Sequence, residues 1–314
     1  RVCALAPCHS PPSASVAAIA LRSSERDMQL TPMHVDWMQR VQIDGRELRH
    51  APPSVQRDED VCEAAVRQHG EALEFVSRDL CDDLTIVIAA LKQNGLALQF
   101  AAEALRADSS IVFTAVFQNG RALRFADESL RKDRGIVLMA VNHSGCALEF
   151  VSEELRADRR VVMTALLQSG LALRFAGREL REDPEVVMAA VQQDGEALQF
   201  AAKHLRDDED IVLVAVLQTG AALPHASATR RADWMIVNTA VKQDGNLLNC
   251  ALEKLRADKD LVLSAVRQCG LALEHVSLDL RADPDVIQVA VEQDPRAAAF
   301  AVYPEVEEEE EEPA

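Results

Sequence analysis

The chain has 314 residues, with 33 Lys and Arg against 51 Asp and Glu and a formal net charge of −18. That balance argues against a surface built to attract nucleic acid or anionic membrane. The longest apolar runs, such as residues 211–217, have the length of a core helix and fall well short of the roughly 18 residues of a membrane span.

Residues 1–32 are rich in Pro, Ser and Ala (Pro7, Pro11, Pro12, Ser13, Ser15) and read as a disordered flank. The apolar stretch from Ala14 to Leu21 leaves organelle targeting open, although no basic leader precedes it. The chain opens on Arg1, so a fragment of a larger protein, for instance the regulatory array of an enzyme, is one expectation. The seven cysteines, Cys3, Cys8, Cys62, Cys81, Cys146, Cys250 and Cys269, are odd in number and irregularly spaced. They fit free thiols in an intracellular, most simply cytoplasmic, compartment.

From about residue 33 the sequence repeats. Gly45, Gly70, Gly95, Gly120, Gly145, Gly170, Gly195, Gly220, Gly245 and Gly270 are each 25 residues apart and account for ten of the 12 glycines. An Asp ladder runs from Asp58 to Asp283 in the same step, an Ala ladder from Ala65 to Ala290 and a Leu ladder from Leu73 to Leu273. The consensus is D-x-x-[IVL]-V-x-x-A-[VL]-x-Q-x-G-x-A-L-x-F-[AV]-x-x-x-L-R-x, represented by Asp183, Gln193, Gly195, Leu198, Phe200, Leu205 and Arg206.

Each slot has a local reading. Asp is a helix N-cap, and Pro184 and Pro284 follow it at the first helical position. Apolar residues three, four, seven and eight places on, as in Ile211, Val212, Ala215 and Val216, predict a helix of about 11 residues. Gly is expected to end that helix at a position of positive φ. A second, shorter helix is expected to bury Ala172, Leu173, Ala176 and Leu180, with Ser77, Asp127, Ser152, Gly177 or Ser277 able to cap a separate final turn. Helices this short are marginal alone, so the repeats must stack.

The expected fold is therefore all-α: an α-solenoid of about ten 25-residue two-helix repeats over residues 33–304, regular over 58–294. Asp36, Trp37 and Arg40 at one end, and Pro295 and Ala298 at the other, mark degenerate capping repeats. Residues 305–314 carry Glu305 and the unbroken Glu307 to Glu312 and form an expected disordered acidic tail, without which the net charge is −11.

Laid out in this way, the repeat resembles the helical repeat family catalogued as domain of unknown function 4116, over roughly residues 58–294. The resemblance implies a helical array in intracellular proteins and supplies no catalytic residues.

Each candidate site also has a packing role. The Arg ladder from Arg106 to Arg281 offers one guanidinium per repeat to phosphates or acidic peptides, or else closes the second segment and pairs with nearby Asp or Glu. The Gln ladder is read as bonding the turn beside each Gly. Residues 220–239 are irregular: Pro224 enters the second helix, His225 replaces Phe, Arg230 replaces Leu, and Trp234 and Met235 fill slots that are mostly polar elsewhere. These residues mark either a bend and partner-docking point, with Trp234, Met235 and Arg230 as contacts, or a decayed repeat whose Trp234 fills the space of the missing Phe and Leu.

No cofactor or metal site is expected. His225, Cys250 and His275 share one slot in consecutive repeats, too far apart to share an ion, and His143 with Cys146 is an isolated pair. The leading expectation is a non-enzymatic scaffold that binds another protein, one with basic character given the acidity here. Nucleic-acid binding through the Arg ladder is the alternative.

Overall fold

The computed structural model describes residues 32–303, and these contain helices and turns but no strand. They fall into two compact units divided between Ala102 and Glu103. Each unit is a run of stacked 25-residue repeats, an all-α arrangement of the α-solenoid class. The flank ahead of Pro32 and the acidic tail over 305–314 lie outside the described residues.

Every regular repeat opens as its sequence dictates. Asp183 is extended (φ −85°, ψ 118°), and its Oδ1 accepts from the N–H groups of Glu185 at 2.9 Å and Val186 at 3.2 Å. Two of the helix's free donors are thereby satisfied, and Pro184 occupies the first turn, where no N–H is needed. The helix Pro184–Gln193 then buries Val186, Val187, Ala190 and Val191, and the same slots are buried in Glu59–Gln68, Arg159–Gln168 and Glu209–Gln218.

The expected second helix is instead two pieces. Gly195–Phe200 is a 3₁₀-helix, closed by bonds such as Ala201 N–H to Leu198 C=O at 3.1 Å, and Ala201 is extended. A separate closing turn follows, α-helical in Glu153–Arg156 and Arg178–Arg181 and 3₁₀ in Leu130–Lys132 and Leu205–Asp207. The extended backbone at Ala201 ends the helix, so the buried pair Leu198 and Ala201 is carried by a 3₁₀ turn and its cap rather than by one continuous helix. Among the anticipated caps of the turn, Asp127 accepts the Ser129 N–H at 2.9 Å, whereas the Ser152, Gly177 and Ser277 positions make no side-chain cap bond.

The role of glycine also differs from the expectation. No described glycine has positive φ. The preceding residue is extended, as at Asp194 (φ −153°, ψ 112°), and the chain runs straight into the 3₁₀-helix. Glycine is required because the backbone there lies against the next repeat. A Cβ on Gly170 or Gly195 would fall under 3.0 Å from the carbonyl oxygen of Ala190 or Ala215, 20 residues onward. The same approach joins Gly45 to Ala65, Gly145 to Ala165 and Gly270 to Ala290.

Gln secures this seam. Gly70 N–H donates to Gln93 Oε1 at 2.7 Å, Gly220 N–H to Gln243 at 2.6 Å, and Gly170 N–H to Gln193. The other end of the Gln243 amide donates to Val216 C=O at 2.7 Å, so one side chain ties a helix end and a turn of the preceding repeat. A second seam uses backbone alone: Gly177 N–H donates to Arg156 C=O at 2.8 Å, and Ser227 N–H to Arg206 C=O at 2.8 Å. Gln56 and Cys81 occupy the same slot and accept in the same way, so this bond does not depend on the side chain.

The irregular repeat does not break at its proline. Gly220–His225 keeps the full six residues despite Pro224. The disturbance lies elsewhere. Leu247 stands where the regular repeats have Ala, and its Cδ1 is 2.7 Å from the Cβ position of Gly220. There the Ala240 oxygen retreats to 3.2 Å, and the α-helix Trp234–Val241 is two residues shorter than its neighbours.

Candidate partner-binding surface

The α-helix carries two kinds of position that remain outside the core, five and nine residues after the Asp cap. They are one turn apart and share a face. In the unit that starts at Glu103 the first slot holds Phe113, Leu138, Met163, Met188 and Leu213, half-buried except for Phe113 at 44% exposed. The second holds Phe117, Leu167 and Leu217 in alternate repeats, with Leu167 77% exposed, and Asn142 and Gln192 between them. Trp234 and Met235 continue the row at the N-terminal end of the next helix, with Met235 63% exposed. A soluble surface rarely aligns this many large apolar groups without covering them.

Trp234 does not fill the space left by the missing Phe and Leu. Its slot is one residue after the cap, where three other repeats place a cation that reaches the next Asp: Arg134 to Asp158 at 2.9 Å, Arg159 to Asp183, and Lys259 to Asp283 at 2.8 Å. The Trp234 indole N–H makes the equivalent contact to Asp258 Oδ1 at 3.3 Å, leaving the ring 44% exposed. Arg230 is committed internally, its Nε donating to Asp207 C=O at 2.8 Å and its Nη1 pairing with Glu209 at 3.0 Å. The structure therefore brings Trp234 and Met235 together on the apolar row and removes Arg230 from it.

Of the other ladder residues, Leu198 and Leu205 are core, and Phe200 is half-buried at the end of its 3₁₀-helix. Adjacent phenylalanines can share a cation, as where the Arg124 guanidinium lies 4.9 Å from the Phe125 ring and 5.6 Å from Phe150. The Arg ladder is half-buried. Among the described residues none of its members forms an ion pair, contrary to the expected pairing with Asp or Glu. The Nε of Arg156 donates to Val151 C=O and that of Arg281 to Phe300 C=O, both at 2.7 Å, so the stem lies against the end of a 3₁₀-helix rather than beside a carboxylate. A surface groove of about 680 Å³ opens between Arg131 and Arg156, lined also by Phe150, Glu128, Glu149 and Glu154.

The titratable groups have structural settings. Burial, helped by the Asp58 carboxylate, pushes the Cys62 thiol up to about 12, and its Sγ approaches Gln56 C=O at 3.4 Å, so it is a protonated core thiol. Burial also raises Cys250. The hydrogen bond from Lys259 holds Asp283 below the usual carboxylate range. Among the described residues no three His, Cys, Asp or Glu side chains gather in a way that could hold a metal ion, and no helix is long and apolar enough to cross a membrane.

Stacked repeats of an α-helix, a 3₁₀-helix and a closing turn, locked by a glycine seam, define a helical repeat protein. The chain belongs to the family described as Domain of unknown function (DUF4116), whose model matches residues 37–81, 83–131, 133–181, 183–231, 236–281 and 258–301. No curated protein and no solved structure matches it.

Proposed function

We propose that the chain is a non-enzymatic scaffold that binds protein through the row of exposed apolar side chains from Phe113 to Met235. The observation that carries this reading is the alignment of Phe117, Leu167 and Leu217 on alternate helices of one repeat array, continued by Trp234 and Met235 on the helix after Leu217, each more than 40% exposed. Aromatic and aliphatic anchors in that density supply most of the energy of typical protein interfaces. The carboxylates of Asp210 and Asp260 flank Met235 in the same slot of the adjoining repeats, which gives that end of the row a preference for basic groups. A reducing, cytoplasmic setting suits the free cysteines.

The Arg ladder supports the competing reading of nucleic-acid binding, since among the described residues none of its guanidiniums forms an ion pair. The acidic groups that line the same groove, Glu128, Glu149, Glu153 and Glu154, oppose phosphate there.

Affinity capture from native cell extract tests the proposal. The double variant Trp234→Ala, Met235→Ala is expected to lose the proteins held by the parent, with binding weakened by about tenfold or more. Its melting temperature should fall by no more than about 4 °C, because Met235 is 63% exposed and Trp234 gives up only a half-buried ring and one exposed hydrogen bond. Undiminished capture by a variant that folds normally rejects this surface.

A further inference from the structure

Resting on that reading, we infer that the protein seated on the apolar row is a second copy of this chain, related by a two-fold axis. Charge is distributed unevenly along the N-terminal edge of the row. In the helices Arg134–His143 and Arg159–Gln168 that edge carries Arg134, Arg159 and Arg160. In the next two, Pro184–Gln193 and Glu209–Gln218, it carries Glu185, Glu209 and Asp210. All six side chains are exposed. The first half of the edge thus holds all its cations, two of them offset by the caps Asp133 and Asp158, and the second half holds only carboxylates, with the change between the helix of Met163 and that of Met188.

An isologous interface requires a patch that complements itself. Place a two-fold axis in the face, parallel to the α-helices and between Arg159–Gln168 and Pro184–Gln193. The order of repeats is then reversed in the second copy while N-terminal edges still meet N-terminal edges. Arg160 falls opposite Glu185, and Arg134 opposite Asp210. The same operation sets Met163 and Leu167 against Met188, Leu138 against Leu213 and Leu217, and Phe113 and Phe117 against the Trp234 helix. Charge and apolar surface match under one symmetry operation: among the described residues Arg160 and Asp210 form no ion pair, while Glu185 and Arg134, which they would meet, already pair with Arg159 and Asp158 and would be shared across the interface.

The dimensions suit a dimer. Six helices at 8–10 Å separation span roughly 40–50 Å, and a ten-residue helix is about 15 Å long. Covering such a face removes on the order of 600–750 Å² per copy, close to the ~800 Å² typical of specific interfaces.

Sedimentation velocity of the purified chain tests the inference with no other protein present. The parent should be a dimer at tens of micromolar, and Leu167→Glu with Leu217→Glu should be monomeric with an unchanged melting temperature. Arg160→Glu alone should weaken the dimer about tenfold. A parent that is monomeric at these concentrations overturns the second copy as occupant while leaving extract capture through the same row intact. A dimer that survives both the glutamate pair and the charge reversal overturns the assignment to this face.

Discussion

Replacing Gly170 with Ala is expected to destabilise the protein by about 2–3 kcal/mol, through overpacking and a weakened seam hydrogen bond. The added methyl group would meet the Ala190 carbonyl oxygen well inside contact distance and the Asp194 Cβ and N at 3.0 Å. Backbone and a short side chain cannot swing aside as a long side chain can, so the repeats must separate. That movement also stretches the bond from Gly170 N–H to the Gln193 amide. Gly135→Ala is the control. Gly135 lies in the exposed first turn of Arg134–His143, in the slot filled by Ser110, Arg160 and Glu185 in other repeats. A Cβ there is already tolerated, and the change should be neutral or add up to about 1 kcal/mol. Thermal unfolding of the two variants separates close approach from a general cost of losing glycine, and an unshifted melt for Gly170→Ala refutes the seam.

Leu198→Ala is the second large effect, about 2–5 kcal/mol in urea unfolding. Leu198 is fully buried on the 3₁₀-helix Gly195–Phe200, which packs against the α-helices Pro184–Gln193 and Glu209–Gln218 and the 3₁₀-helices of both adjacent repeats. Truncation leaves a cavity bounded by elements that the glycine and backbone seams hold in place, so collapse into it is limited. The contrasting truncation, Leu167→Ala, removes the same atoms from a side chain 77% exposed and should cost less than about 0.5 kcal/mol. Equal costs at the two positions contradict the division of each repeat into a core side and an exposed row.

What could be read from the sequence was local. The Asp caps and the helical spacing of Ile211, Val212, Ala215 and Val216 involve residues within two turns of one another, and they form the elements expected. The glycine ladder was visible but its cause was not, because the constraint on Gly195 comes from a carbonyl 20 residues away and not from its own φ. The choice between α- and 3₁₀-helix after each glycine turns on six residues whose apolar spacing suits both. Pro224 marks residues 220–239 as irregular in the sequence, but Leu247, a large residue in the Ala slot of the following repeat, is what opens the seam at Gly220. The apolar row could have been found by following one slot along the chain, where Phe117, Leu167 and Leu217 recur every 50 residues.

The 25-residue repeat is the physical unit of stacking, each repeat burying its faces against its neighbours alone. Excising residues 159–183 joins Asp158 to Pro184, restoring cap, helix and both seams in register. Circular dichroism and thermal unfolding of that deletion should show unchanged helicity per residue and a single cooperative melt. Removal of 159–170 alone, which breaks the register, should abolish both. A 25-residue deletion that unfolds as completely as the shorter one contradicts the account.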